Sequence, residues 1–246
     1  MNLIIDVGNT QCKVSVFEGS TVVCQTQNNH LNEIPWASLF QDYNLKNGIF
    51  SDTRGVGLNT VSQFLPPDFP VIELNAELPL PITINYKTPH TLGKDRIAGA
   101  VAANHQFYGL PVLIIDIGTA ITIDFVSEHG TFMGGIISPG PELRYRALHQ
   151  FTGKLPLLEP VVEAELTPTT TKTAIEGGVQ NGILFEINGY IQHYQAIYQN
   201  LKIVLTGGFA SMFENKLKSP FHSDALLVQK GLNLILYWWL NTRGTL

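Results

Sequence analysis

The sequence predicts an α/β protein built from two similar domains, one in each half of the chain. A short stretch occurs twice: residues 3–8 read LIIDVG and residues 113–118 read LIIDIG. Each copy is followed by a second β-type run, KVSVF at 13–17 and ITIDFV at 121–126, so each half opens as strand, tight turn, strand. Strand groups then alternate with helical patterns in both halves, the signature of an α/β architecture. At 246 residues the chain can fill two modest cores. The repeat puts the expected division at residues 1–108 and 109–246.

In the first half the hairpin at 2–17 is followed by a strand-like run, TVVCQT at 21–26. Residues 36–110 carry weaker signals, with Pro66, Pro67, Pro70, Pro79 and Pro81 punctuating short pieces such as PVIEL and ITINY. DRIAGAVAANHQF, 95–107, is alanine-rich and reads as a helix that Gly109 and Pro111 terminate. The second half runs from its hairpin through GTFMGGIISPG to a helix near 141–150 and a Thr/Pro-rich loop at 167–173. Beyond that loop Ile187, Tyr190, Ile191, Tyr194, Ile197 and Tyr198 fall at helical spacing, predicting an amphipathic helix whose stripe serves a core or a subunit interface. KIVLTGG at 202–208 is a buried strand ending in a glycine turn, and GLNLILYWWL is a closing helix.

Composition narrows the class. A hydrophobic content of 44% and a charged content of 14% fit a folded domain rather than a disordered chain. The net charge is −5 with no run of lysines or arginines, which argues against a nucleic-acid partner. Cys12 and Cys24 offer no disulfide framework and read as reduced thiols. The opening MNLIID lacks the basic region and long apolar core of a secretory signal, and LILYWWL at 234–240 is too short to span a bilayer. A soluble, cytoplasmic protein without membrane partners is expected.

No GxxxxGK[ST] occurs, and the seven histidines form no ligand-spaced cluster. What remains is a set of glycine turns after apolar strands: DVGNT, DIGTA, GGIISPG and LTGG. Glycine lets the backbone approach a phosphate closely and present its N–H to it. Asp6 and Asp116 would repel phosphate directly, but suit a cation held between carboxylate and phosphate. A lone Asp-x-Gly more often just closes a hairpin; two in the same strand context favour function. Lys13, leaving the first turn, is either a solvated strand lysine or a charge that neutralises a transferred phosphate. In TPHTLGKDR, 88–96, Asp95 and Arg96 stand where a glycine loop enters a helix, which suits either capping or anion binding.

Taken together these pieces resemble the type III pantothenate kinases. The first family motif, DxGNTxxK, stands as Asp6, Gly8, Asn9, Thr10 and Lys13. The second, leading to LGxDR, stands as Pro89, His90, Leu92, Gly93, Asp95 and Arg96. The third, DxGTAxTxD and then GGxIxPG, stands as Asp116, Gly118, Thr119, Ala120, Thr122, Asp124, Gly134, Gly135, Ile137, Pro139 and Gly140. FTGKLP, LTGG and KGLN extend the likeness, and Phe209 departs from it, standing where the family has a small or polar residue.

The resemblance implies two duplicated ribonuclease-H-like domains, as in actin-like ATPases and sugar kinases, with a nucleotide cleft between them. It implies ATP-dependent phosphorylation of pantothenate, the first step of coenzyme A synthesis, by a homodimer. Asp95 is the implied general base. Asp6, Val7, Gly8, Asn9, Thr10, Gln11, Cys12, Lys13 and Thr119 are implied to bind ATP. Asp6 would hold Mg²⁺ through water, and Asp116 would hold K⁺ or NH₄⁺. Tyr86, Gly93, Lys94, Asp95, Arg96 and Thr171 are the implied pantothenate contacts, with Thr169, Thr170 and Thr173 as alternatives to Thr171. A kinase for another acceptor keeps the same fold, and a non-catalytic ATP-binding regulator is the reading from a different class.

Overall fold

The apolar run that opens the chain is a strand, β1 (Asn2–Val7), and the turn after it returns as β2 (Cys12–Glu18) and then β3 (Thr21–Asn28). The computed structural model, which describes residues 1–242, continues through α1 (Trp36–Asp42), β4 (Asn47–Asp52), α2 (Leu58–Ser62), β5 (Val71–Glu73), β6 (Thr83–Ile84) and α3 (Lys94–Gln106). The sheet order is β3-β2-β1-β4-β5, antiparallel across β3, β2 and β1 and parallel from β1 to β5. Side chains alternate along β1 as the pleat demands. Leu3, Ile5 and Val7 enter a core with Val14, Val16, Phe50 and Trp36, and Asp6 therefore stands on the opposite face.

The second hairpin is β7 (Val112–Ile117) and β8 (Ala120–Val126), followed by β9 (Thr131–Pro139), α4 (Pro141–Gln150), α5 (Thr171–Ile197), β10 (Lys202–Thr206) and the short β11 (His222–Ser223). Its strands run β9-β8-β7-β10-β11, the same path as β3-β2-β1-β4-β5. The duplication seen in twelve residues of sequence is thus a duplication of a whole sheet. The chemistry repeats with it: Asp6 pairs in register with Lys13 and Ser51, and Asp116 pairs with Thr122 and Thr206. Leu113, Ile115 and Ile117 face a core with α5, so Asp116, like Asp6, is on the face turned from it.

The chain divides into one unit of Met1–Gln106 with the segment that begins at Leu226, and another of Phe107–Ala225. The division at 108 is close, but the final helix, α6 (Leu227–Thr242), belongs with the first unit and not with residues 109–225. It packs on α3 through small residues: a Cβ on Gly231 would overlap the Ala98 carbonyl, and one on Gly99 would touch Leu227 at 3.7 Å. This explains the alanine-rich composition of α3, which is buried from Arg96 to Asn104.

The apolar stripe of α5 is core except at Ile197, which is exposed. Ile187 and Ile191 are buried, Tyr190, Tyr194 and Tyr198 pack against the same cluster, and Phe125 lies 4.3 Å from the Tyr198 ring centroid. α5 also begins three residues before its expected start, because Thr170 caps it by accepting from the Thr173 N–H.

Candidate active site

In the first unit the turn after β1 is closed by the Gly8 N–H donating to the Gln11 carbonyl at 2.9 Å. Asn9 and Thr10 are exposed at its tip, whereas Val7 and Cys12 are fully buried in the core beneath it. Of the residues implied to bind ATP, those two therefore offer only backbone, and the Val7 carbonyl already accepts from Thr53 N (2.9 Å) and Oγ1 (3.2 Å). Asp6 is 7% exposed, with the Gln229 side-chain amide donating to its Oδ2 at 3.4 Å. Farther along the same helix Asn233 accepts from Asn2 at 2.9 Å, so α6 tracks the polar side of β1.

The loop after β4 is a part of this site that sequence reasoning passed over. Asp52 accepts three backbone N–H bonds, from Arg54 (2.9 Å), Gly55 (2.8 Å) and Gly57 (2.8 Å). Gly55 and Gly57 both adopt positive φ, which is why GVG stands there. Arg54 then reaches the turn: its Nε donates to the Gly8 carbonyl at 3.0 Å and its Nη1 to the Asn29 carbonyl at 3.0 Å. The sequence signal for it is the pair of glycines in GVGLNT, 55–60.

The second implied cluster forms at the start of α3. Asp95 Oδ1 accepts from the Arg96 N–H at 2.9 Å, and Gly93 leaves that oxygen room, since a Cβ on it would come to 2.6 Å from it unless the carboxylate moved. Arg96 is buried, with its guanidinium carbon 5.9 Å from the centroid of the Tyr86 ring. Tyr86, Gly93, Asp95 and Arg96 thus come together. Lys94 turns away to Glu73, with Nζ 2.8 Å from Oε1.

In the second unit, three glycine turns close around Asp116. The Gly118 N–H donates to the Ala120 carbonyl and the Gly140 N–H to the Thr119 carbonyl, each at 3.0 Å. Gly207 has φ +101°, and a Cβ there would overlap both Asp116 Oδ1 and the Ile117 backbone. Phe209 donates its N–H to the Ile117 carbonyl at 2.9 Å, and its side chain packs on the core. Its bulk is absorbed inside the unit. Asp124 is buried, and the bare Cα of Gly135 makes room for its carboxylate. Thr171 is exposed in the first turn of α5, while Thr170 and Thr173 spend their hydroxyls on each other and on the cap.

Among the described residues no three His, Cys, Asp or Glu side chains converge as a metal cage, and no helix is long and apolar enough to cross a membrane.

Comparison with known proteins assigns this arrangement to a family. Residues 2–193 match the family model described as type III pantothenate kinase. A type III pantothenate kinase of Phocaeicola vulgatus is 43% identical over 238 residues, covering 96% of this chain and 98% of that protein. One from Cytophaga hutchinsonii is 42% identical over 238 residues, with 96% and 98% covered. Among solved structures, a Campylobacter jejuni protein titled as a Baf-family transcriptional activator superposes with TM-score 0.64 at 21% identity, covering 97% of this chain and 99% of that one. A Listeria monocytogenes protein titled as an N-acetylmannosamine kinase candidate gives 0.56 at 14% identity, covering 98% and 99%. These structural likenesses show the actin-like and sugar-kinase fold alone.

Proposed function

This chain belongs to the type III pantothenate kinase family, and from that premise we propose that it transfers the γ-phosphoryl group of ATP to the terminal hydroxyl of pantothenate, opening coenzyme A synthesis. The observation that carries the choice of acceptor is the group at the start of α3. There the buried Arg96, held over Tyr86, stands next to Asp95. A planar guanidinium fork suits a carboxylate, and the neighbouring carboxylate suits a hydroxyl to be deprotonated. An acceptor with both groups fits better than a neutral sugar.

Phosphoryl transfer passes through a loose transition state, so positioning and charge compensation outweigh covalent chemistry. Asp95 acts as general base toward the hydroxyl, a contribution typically of about 10²–10⁴-fold. Gly8, Asn9, Thr10, Gln11, Lys13 and Thr119 are the side chains and backbone groups assigned to ATP. Thr171, whose hydroxyl is not spent on the α5 cap, completes the pantothenate contacts.

The residues also fit the ions the family implies. Asp6 is a single carboxylate beside a phosphate-type turn, the setting in which Mg²⁺ keeps its waters and binds through substrate phosphates. Asp116 lies among backbone groups that Gly207 brings within reach of its oxygen. A carboxylate oxygen there would suit K⁺ or NH₄⁺, and such an ion would supply charge compensation to the phosphates. We place the enzyme in the cytoplasm as a homodimer. Since most of the α5 stripe is core, the apolar residues left for an interface include the exposed Ile197, Phe185 and Leu143.

The deciding experiment measures ADP release from ATP with pantothenate, glycerol, acetate and a neutral hexose as acceptors, in K⁺ and in Na⁺ buffers. Turnover should require pantothenate and fall sharply in Na⁺. Equal turnover with the hexose would overturn the acceptor, and equal rates in both salts would overturn the cation site.

A further inference from the structure

We propose that Arg54 is the positioning residue that sets the Gly8–Gln11 turn for the triphosphate, a task that none of the recognised motifs performs. The inference rests on reading that turn as the phosphate site of ATP. It starts from the peptide unit between Gly8 and Asn9. A trans peptide points its carbonyl and its N–H in opposite directions, and the described chain contains no cis bond. Arg54 Nε holds the Gly8 carbonyl at 3.0 Å. The Asn9 N–H is thereby aimed away from the guanidinium, and Asn9 and Thr10 are the exposed residues of the turn. A donor fixed outward at the tip of a glycine turn is what an anion meets first.

Arg54 is itself held from several sides. Asp52 gathers the N–H groups of Arg54, Gly55 and Gly57, so the loop that carries the guanidinium is folded around a carboxylate. Thr53 ties that loop to Val7 through N–H and hydroxyl. Nη1 spans to the Asn29 carbonyl at 3.0 Å, so one planar group joins the turn, the segment after β3 and the loop after β4. Nη2 is buried and makes no well-formed hydrogen bond among the described residues. The second unit meets the same need differently: there the loop after β10 approaches its DxG turn through the bare backbone of Gly207. Lysine cannot replace this fork, because a single ammonium on a flexible stem does not fix two carbonyls in one plane.

The test compares wild type with Arg54→Lys and Arg54→Met. Affinities for ATP, ADP and adenosine are measured by calorimetry, steady-state constants for ATP and pantothenate by coupled assay, and folding by thermal melting. Both variants should bind ATP about tenfold or more weakly, as loss of a charge-assisted hydrogen bond to a positioned group implies. ADP should be affected less, adenosine hardly at all, and the pantothenate KM should hold. Should Arg54→Met not fold, Arg54→Lys carries the test alone. Wild-type ATP affinity in a folded Arg54→Lys overturns the proposal, as does an equal loss for ATP and adenosine, which marks a purely structural role. A wild-type protein that binds ATP but does not phosphorylate pantothenate would refute the proposed reaction and leave the Arg54 result standing. One that does not bind ATP would refute both.

Discussion

Gln229, near the end of the chain, donates its side-chain amide to Asp6, near the beginning, at 3.4 Å, and is itself only 1% exposed. The final helix thus supplies a partner to the first motif's carboxylate. A group that orients an ion-binding carboxylate typically matters by about 10–100-fold in metal affinity or activity.

Gln229→Leu should therefore lower kcat by about tenfold or more, and the Mg²⁺ concentration giving half-maximal rate should rise. Gln229→Glu should be worse, because it puts a second carboxylate against a buried one. An uncompensated buried charge costs about 3–5 kcal/mol, enough to lower Tm by roughly ten degrees in a chain this size. A Gln229→Leu enzyme with wild-type Mg²⁺ dependence would show that α6 merely covers the sheet.

The start of α3 gives a second pair of expectations. Asp95→Asn should reduce kcat by about 10²–10⁴-fold with ATP binding unchanged, as loss of a general base does. Arg96→Lys keeps the charge but loses the fork, and should raise the pantothenate KM well above any change in the ATP KM. Steady-state constants for both substrates decide it. A parallel rise in the two KM values would mean that Arg96 supports the fold around α3 rather than the acceptor.

How much of this was visible in the sequence varies with range. The DxG hairpins are local objects, and β1, β2, β7 and β8 stand where periodicity put them. The alanine-rich run became α3 for the same reason. What the sequence concealed was long-range. Nothing in LVQKGLN announces that Gln229 reaches back to Asp6, because that bond spans 223 positions and depends on α6 crossing to the first unit. The stripe on α5 was plain, but a 3.6-residue period reports only that one side is apolar, not whether it meets a core or a partner. Asp52 and Arg54 escaped notice because they bind backbone groups, which every sequence has and no motif records.

Alkaline conditions should expose a shared property of three groups, two buried and one, Tyr194, partly buried. Burial pushes the Cys12 thiol above its ordinary 9.0 and the Tyr145 and Tyr194 hydroxyls above their ordinary 10.0. Each group ionises earlier in the unfolded chain than in the folded one, so the folded state binds more protons in that window. The stability they lend is complete below about pH 9 and drains away as pH rises through the folded values. Tyr145→Phe should change the urea midpoint little near pH 8, since Tyr145 Oη makes no well-formed hydrogen bond. The same variant should lose less stability than wild type between about pH 8 and pH 10.5. An identical loss in both proteins would take Tyr145 out of this account.

The adjacent glycines of LTGG allow the proposed cation site to be tested with an internal control. Gly207 has φ +101°, and a Cβ there would overlap Asp116 Oδ1 and the Ile117 backbone, whereas a Cβ on Gly208 would meet nothing within 4 Å. Alanine at 207 must therefore carry left-handed strain and displace the carboxylate, while alanine at 208 carries neither burden. Gly207→Ala should lower Tm by several degrees and bring the ratio of rates in K⁺ and Na⁺ toward one. Gly208→Ala should leave both measurements near wild type. Melting curves and paired assays in the two salts separate strain from ion binding. If Gly207→Ala melts early yet still prefers K⁺ as strongly as wild type, the glycine serves only the backbone and the ion is not held at Asp116.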